Sequence, residues 1–275
     1  MRIKSIVIRC LIIFFVATGQ SMAQEAVTYQ TRDNLLYREA KDLTEYMQER
    51  CRLDIYYPEN KPGFTTIVWF HGGGITGGEK FTPEQWKEKG LAVVAVNYRL
   101  SPKVKCPEYL MDAAAAVAWV FNHIEEFGGS RSRIVVSGHS AGGYLTSMIG
   151  MDKKYLKAFG IDACEIAALM PFSGHTITHM TIRSERGIKD TQPVVDEFAP
   201  LFFVGPEVPP LYLITGDREL EMLGRYEENA YLWRMMKVAG HQHTDLYELD
   251  GFDHGAMAVP GYELTLRLLK KMKLL

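Results

Sequence analysis

Six short apolar runs, at 66–70, 91–96, 133–137, 167–172, 211–215 and 246–249, recur along the chain. Continuous runs of this length suit strands buried on both faces. Stretches with helical spacing lie between them. Pro107 opens the longest, with Leu110, Ala113, Ala114, Val117, Val120, Phe121 and Ile124 along one face, and Gly128-Gly129 stop it. Further helices are expected at 86–89, 143–149 and 226–238, and a closing one at 262–272 carries basic residues at its end. Strand, helix and strand in repetition predict the α/β class: a mostly parallel, doubly wound sheet of about eight strands with helices on both faces. The run at 53–57 alternates instead and stops at Pro58, which predicts an antiparallel lead-in strand. Two regions follow neither rhythm. Residues 24–50 are polar with sparse anchors (Tyr37, Leu43, Tyr46, Met47) and are expected to wrap the outside of the domain. Residues 175–207 are irregular, mixed in charge and broken by Pro193, Pro200 and Pro206.

Composition changes this picture at one end. Arg2, Lys4 and Arg9 precede an apolar core at 11–17, and Ser21-Met22-Ala23 follows it. That is the pattern of a signal peptide over 1–23, cleaved before Gln24, with an apolar core too short for a membrane span. Export to a periplasm or the extracellular space is the expectation, with no stable membrane insertion afterwards. Removing those 23 residues leaves 252 of the 275, enough for one large α/β domain over 24–275. The formal charge falls by three, from −2 to −5, so nothing points to nucleic acid or an anionic membrane as partner. Three cysteines remain (Cys51, Cys106, Cys164), without a C-x-x-C. They leave the disulfide state open, as the sequence also leaves the oligomeric state.

Two glycine-rich turns carry the chemistry. Gly138-His139-Ser140-Ala141-Gly142 stands between the run at 133–137 and the helix at 143–149. A serine flanked by glycines at a strand-to-helix turn is a nucleophile elbow: the backbone is strained, neighbouring side chains would collide, and the hydroxyl is held out over a helix N-terminus. One strand and crossover earlier, the run at 66–70 ends in His71-Gly72-Gly73-Gly74. Glycines there let backbone N–H groups turn toward a ligand, as in the oxyanion loops of lipases and esterases. A phosphate cradle is the rival, but no Gly-Lys-Ser/Thr follows.

His71-Gly72-Gly73-Gly74, then 96–102 (Val-Asn-Tyr-Arg-Leu-Ser-Pro), Asp112 with Trp119, and Gly138-His139-Ser140-Ala141-Gly142-Gly143 occur in that order. Together they resemble the hormone-sensitive-lipase-like and carbohydrate-esterase branches of the α/β-hydrolase family, from about Leu53 to the C-terminus. Asn97 departs from the acidic residue more usual in these branches. The resemblance implies a catalytic triad in the order Ser, acid, His, each just past a strand. Ser140 is then the nucleophile, Asp217 the acid and His254 the base, with Glu219 and Glu221 as competing acids nearby. It implies an oxyanion hole from the N–H groups of Gly73, Gly74 and Ala141, and His139 and His175 as pocket residues. It makes 175–207 a cap-like insertion, loose by its composition. His241 and His243 are spaced like metal ligands but have no third partner nearby, so a solvated pair is expected. No metal or cofactor is called for. The implied activity is a serine carboxylic-ester hydrolase acting through an acyl-enzyme on short-chain esters, including acetyl or feruloyl groups on carbohydrate. A serine amidase, peptidase or arylformamidase would use the same triad, and a non-catalytic binding protein on this fold is the third reading.

Overall fold

The computed structural model describes residues 26–38, 43–222 and 224–275. The expected signal peptide lies outside them. In chain order the elements are β1 (Tyr29–Leu36), α1 (Glu45–Arg50), β2 (Arg52–Pro58), β3 (Phe64–Phe70), β4 (Ala92–Val96), α2 (Glu108–His123), β5 (Gly129–His139) and α3 (Ala141–Met151). Then follow α4 (Lys154–Lys157), β6 (Ala168–Phe172), α5 (Met180–Glu185), β7 (Leu211–Gly216), α6 (Arg225–Val238), β8 (Thr244–Leu249) and α7 (Ala258–Lys271). One eight-stranded sheet has the order β1-β2-β4-β3-β5-β6-β7-β8. β2 pairs antiparallel with β1 and β4, and every later pairing is parallel.

Period-two alternation divides the core between the faces of this sheet. Val68 and Phe70 of β3 pack to one side, with α2, α3 and α6 contributing Leu110, Val117, Leu145 and Leu232. Ile67 and Trp69 point to the other, where Trp86 and the α7 residues Tyr262, Leu266 and Leu269 cover them. The sheet is therefore doubly wound, as the run-and-helix pattern predicts. Both faces are dry, which is why the central runs read as continuous rather than alternating.

Departures concentrate at the edges. Residues 24–50 do more than wrap the domain: β1 adds an edge strand to β2, and α1 leads into β2. An edge strand with its middle four residues exposed carries no apolar rhythm to detect. The short helix expected at 86–89 is a 3-10 turn at Glu84–Trp86. Asn97 is structural, its amide bridging the Glu79 carboxylate at 2.6 Å and the Lys80 N–H at 2.6 Å. His241 is buried, with Nδ1 2.5 Å from Thr244 Oγ1 and Nε2 3.1 Å from the Val208 carbonyl, so the expected solvated pair reduces to His243 alone. Among the described residues no helix is long and apolar enough to cross a membrane.

The insertion at 175–207 is not loose. It contains α5 and a 3-10 turn at Pro200–Phe203, and it buries Thr176, Thr178, His179, Thr181 and Arg183. Thr176 Oγ1 donates to the Glu228 carbonyl at 2.9 Å, Tyr144 OH donates to the Phe198 carbonyl at 2.7 Å, and Thr181 Oγ1 donates to the Gly74 carbonyl. Threonines and histidines that look polar in the sequence are the groups that knit this segment to the core.

Candidate active site

Ser140 sits between β5 and α3 with φ 56° and ψ −113°, in the left-handed half of backbone space. A non-glycine residue there costs on the order of 1–2 kcal/mol. The surrounding glycines explain how the turn closes. A Cβ on Gly142 would fall on the Phe70 carbonyl oxygen, and one on Gly138 would lie 2.5 Å from the Gly142 carbonyl. Ser140 N–H donates to the Phe172 carbonyl at 2.8 Å, which fixes the elbow to β6.

His254 follows β8, and its Nε2 lies 2.9 Å from Ser140 Oγ. Its Nδ1 lies 2.8 Å from Oε2 of Glu221, whose side chain is 1% exposed. A carboxylate only accepts, so Nδ1 carries the proton and Nε2 presents its lone pair to the Ser140 hydroxyl. Burial alone would raise the Glu221 carboxyl. Hydrogen bonds from His254 and Ser173 outweigh it and hold the group down at about 2.

The carboxylate on His254 is thus Glu221, and the expectation for Asp217 is corrected. Asp217 is half-buried, its oxygens accepting from the N–H groups of Glu219 and Gly251, each at 2.8 Å. These bonds, with Asp217 N–H to the Phe252 carbonyl at 2.8 Å, tie the loop after β7 to the loop after β8. The chain after β7 makes one helical turn, with Glu221 N–H on the Asp217 carbonyl at 2.8 Å. That turn carries Glu221 back beneath the strand end, where Gly216 N–H reaches its Oε1 at 3.1 Å.

The oxyanion candidates adjoin this triad. A Cβ on Gly72 would meet Ser140 Cβ at 3.4 Å, so the glycine loop lies against the elbow. Gly73 and Gly74 have φ of 106° and 64°, conformations that glycine adopts freely. Among the described residues, the N–H groups of Gly73, Gly74 and Ala141 donate to no protein acceptor. Beneath the loop, buried Arg50 donates from Nη2 to the Gly78 carbonyl at 3.0 Å and lies 3.4 Å from His71 Nε2. Its Nε reaches the Tyr98 carbonyl at 3.1 Å, and Nη1 pairs with Glu79. Burial pushes His71 down to about 4, and its neutral ring stacks on Tyr98 with centroids 4.4 Å apart.

His139 and His175, expected as pocket residues, make internal contacts instead. His139 Nε2 donates to the His254 carbonyl at 2.7 Å and so holds His254 by its main chain. Burial, then the neighbouring His254, lower it to about 4. His175 is buried, with Nδ1 2.9 Å from the Glu228 carboxylate. Neither stands on the groove of about 660 Å³ that opens beside Gly74. Ser101, Lys105, Thr181 and Glu185 line that groove together with the apolar Pro102, Met180 and Ile188.

Sequence reasoning passed over three groups that complete the site. Ser173, directly after the run at 167–172, touches both Glu221 and His254. Arg225 is buried and donates to the Ser173 carbonyl. Arg50 lay in a stretch read as surface wrapping. Ser173 alone had a usable signal, because it follows a parallel strand directly, as Ser140 does.

A family model described as BD-FAE matches residues 53–222, more than half of the chain. Lipase 2 of Moraxella sp. (strain TA144) is 41% identical over 88 residues, 30% of this chain and 20% of that protein. Esterase LipC of Mycobacterium tuberculosis is 25% identical over 213 residues, 68% of this chain and 50% of that one. These matches thus span between a fifth and a half of the relatives' own length. In structure, a truncated carbohydrate esterase from gut microbiota superposes with TM-score 0.74 at 18% identity, covering 91% of this chain and 98% of that one. Thermogutta terrifontis esterase 2 superposes with TM-score 0.69 at 22% identity, covering 92% and 97%. Both superpositions are those of one α/β-hydrolase fold.

Proposed function

The chain belongs to the BD-FAE family, and on that footing we propose that it is a serine carboxylic-ester hydrolase working through an acyl-enzyme. One observation carries the reading: Ser140 Oγ, His254 and Glu221 form a continuous relay at 2.9 Å and 2.8 Å. A serine hydroxyl is a weak nucleophile at neutral pH unless a base accepts its proton and an acid orients that base.

In the proposed reaction His254 Nε2 takes the Ser140 proton as Oγ attacks the ester carbonyl. Glu221 stabilises the imidazolium that forms. The N–H groups of Gly73, Gly74 and Ala141 receive the oxyanion, where each lost donor would cost about 2.7–4 kcal/mol of barrier. His254 then gives its proton to the departing alcohol. A water activated by the same base releases the acid and restores Ser140.

For the substrate we propose short acyl groups, acetyl or feruloyl, on a carbohydrate or another polar alcohol. The groove beside Gly74 has room for such an alcohol, with hydroxyl, ammonium and carboxylate groups that can hydrogen-bond it beside the apolar Pro102, Met180 and Ile188. The gut-microbiota neighbour, a carbohydrate esterase, points the same way. We also propose that the protein is exported after cleavage before Gln24. N-terminal sequencing of the protein from the host envelope or medium tests this, and an intact Met1 would refute it.

The activity test is hydrolysis of p-nitrophenyl acetate, butyrate and octanoate by wild type and Ser140→Ala, followed by acetylated xylan. The expectation is activity that falls with chain length and drops at least about 10³-fold in the variant. Wild-type rates no higher than the variant's on every ester would sink the proposal. Acetate release from xylan names the alcohol class.

A further inference from the structure

We infer that Ser173 is a positioning residue for this reaction, its buried hydroxyl fixing the carboxylate of Glu221 that orients His254. The inference rests on the esterase reading above and adds a fourth side chain to its relay. Ser173 is fully buried, so it touches no substrate. Its Oγ donates to Glu221 Oε1 and lies 3.2 Å from His254 Nδ1. Gly216 N–H also donates to Oε1 at 3.1 Å, and Met222 N–H donates to Oε2 at 3.0 Å beside His254. Both carboxylate oxygens are thereby held by two donors each, one from a side chain and one from the main chain. This carboxylate cannot rotate without breaking all four.

The backbone of Ser173 supports the same role. It lies at φ 47°, a conformation that suits glycine and strains serine. Its N–H on the Ile214 carbonyl at 2.7 Å holds it there, as does its own carbonyl, which accepts from Arg225. A buried guanidinium and a neighbouring strand together maintain a residue in a strained conformation. What that conformation delivers is a hydroxyl on the acid and against the base. Strain kept at a functional site is strain with a use.

The test compares Ser173→Gly and Ser173→Ala, each alone and combined with Glu221→Gln. Kinetics on p-nitrophenyl acetate are read beside the low-field NMR signal of the His254 Nδ1 proton. Glycine relieves the backbone strain and alanine does not, so the pair separates hydroxyl from conformation. Both single variants are expected to lose about tenfold in kcat with KM within about twofold. In the Glu221→Gln background the same change should cost less than about twofold, because the amide no longer orients His254 however firmly it is held. The low-field proton should shift and broaden in Ser173→Gly. Wild-type kcat in Ser173→Gly, or an undiminished loss in the double variant, would overturn the role. If wild type cleaves no ester faster than Ser140→Ala, the enzymatic reading fails first, and an unchanged Nδ1 proton in Ser173→Gly then overturns the positioning role as well.

Discussion

A glutamate side chain reaches one methylene farther than an aspartate, and Glu221 uses that reach to return to His254 from one turn beyond β7. Asp217, immediately after the strand, gives both carboxylate oxygens to backbone N–H groups and secures two loops. Counting residues from the strand end favours Asp217, because the count takes the loop as extended. The helical turn from Asp217 to Glu221 is a four-residue hydrogen bond that leaves no glycine or proline signature. Ser140 and His254 were legible because glycines at 138, 142 and 255 mark their turns. Glu221→Gln is therefore expected to lose on the order of 10³-fold or more in kcat, since the amide offers His254 the wrong partner. Asp217→Asn should lose less than about tenfold. Parallel kinetics of the two variants check this, and equal losses would return the acid role to Asp217.

Among the elements, the parallel strands and the α2 and α7 helices were legible because burial on one or both faces imposes a rhythm on their side chains. β1 and α1 were not, since an exposed edge strand and a six-residue helix impose none. Yet α1 ends at Arg50, whose guanidinium spans the proposed oxyanion loop from His71 to Gly78 and Glu79. No glycine motif can hold itself still; the loop is shaped by its glycines and held by a cation from a preceding element. Arg50→Met removes that hold while keeping much of the side-chain volume. The expected result is a fall of roughly 10- to 100-fold in kcat on p-nitrophenyl acetate, a fraction of what a lost oxyanion donor costs. Stability should fall by about 1–3 kcal/mol, since the Gly78 and Tyr98 carbonyls and the neutral His71 ring lose their donor. Denaturant titration beside the kinetics measures both, and unchanged kcat would separate Arg50 from the loop's function.

Across the whole molecule, histidines set the first response to acid. His71 and His139 are held down at about 4 by burial, and burial also lowers His175 and His179. His71 and His139 are thus neutral in the folded protein through the range in which an unfolded chain protonates histidine, near 6.5. Below that value the unfolded state binds more protons, so stability falls as pH falls, by up to about 1.4 kcal/mol per pH unit for each such group. Glu221 responds in the same direction but in a lower window. Held at about 2, its carboxylate contributes stability above the ordinary glutamate range near 4.5, and that contribution fades only as pH drops from there toward 2. Acid unfolding should therefore begin in the histidine window, between about 6.5 and 4, before the Glu221 carboxylate protonates. Thermal midpoints across pH 8 to 3, with proton uptake on unfolding measured near pH 5, check the order. A steady fall from 6.5 with uptake of about two or more protons is expected. A midpoint flat down to 4.5 would mean that these rings are charged in the fold, and the neutral hydrogen bonds drawn for His71 and His139 would have to be abandoned.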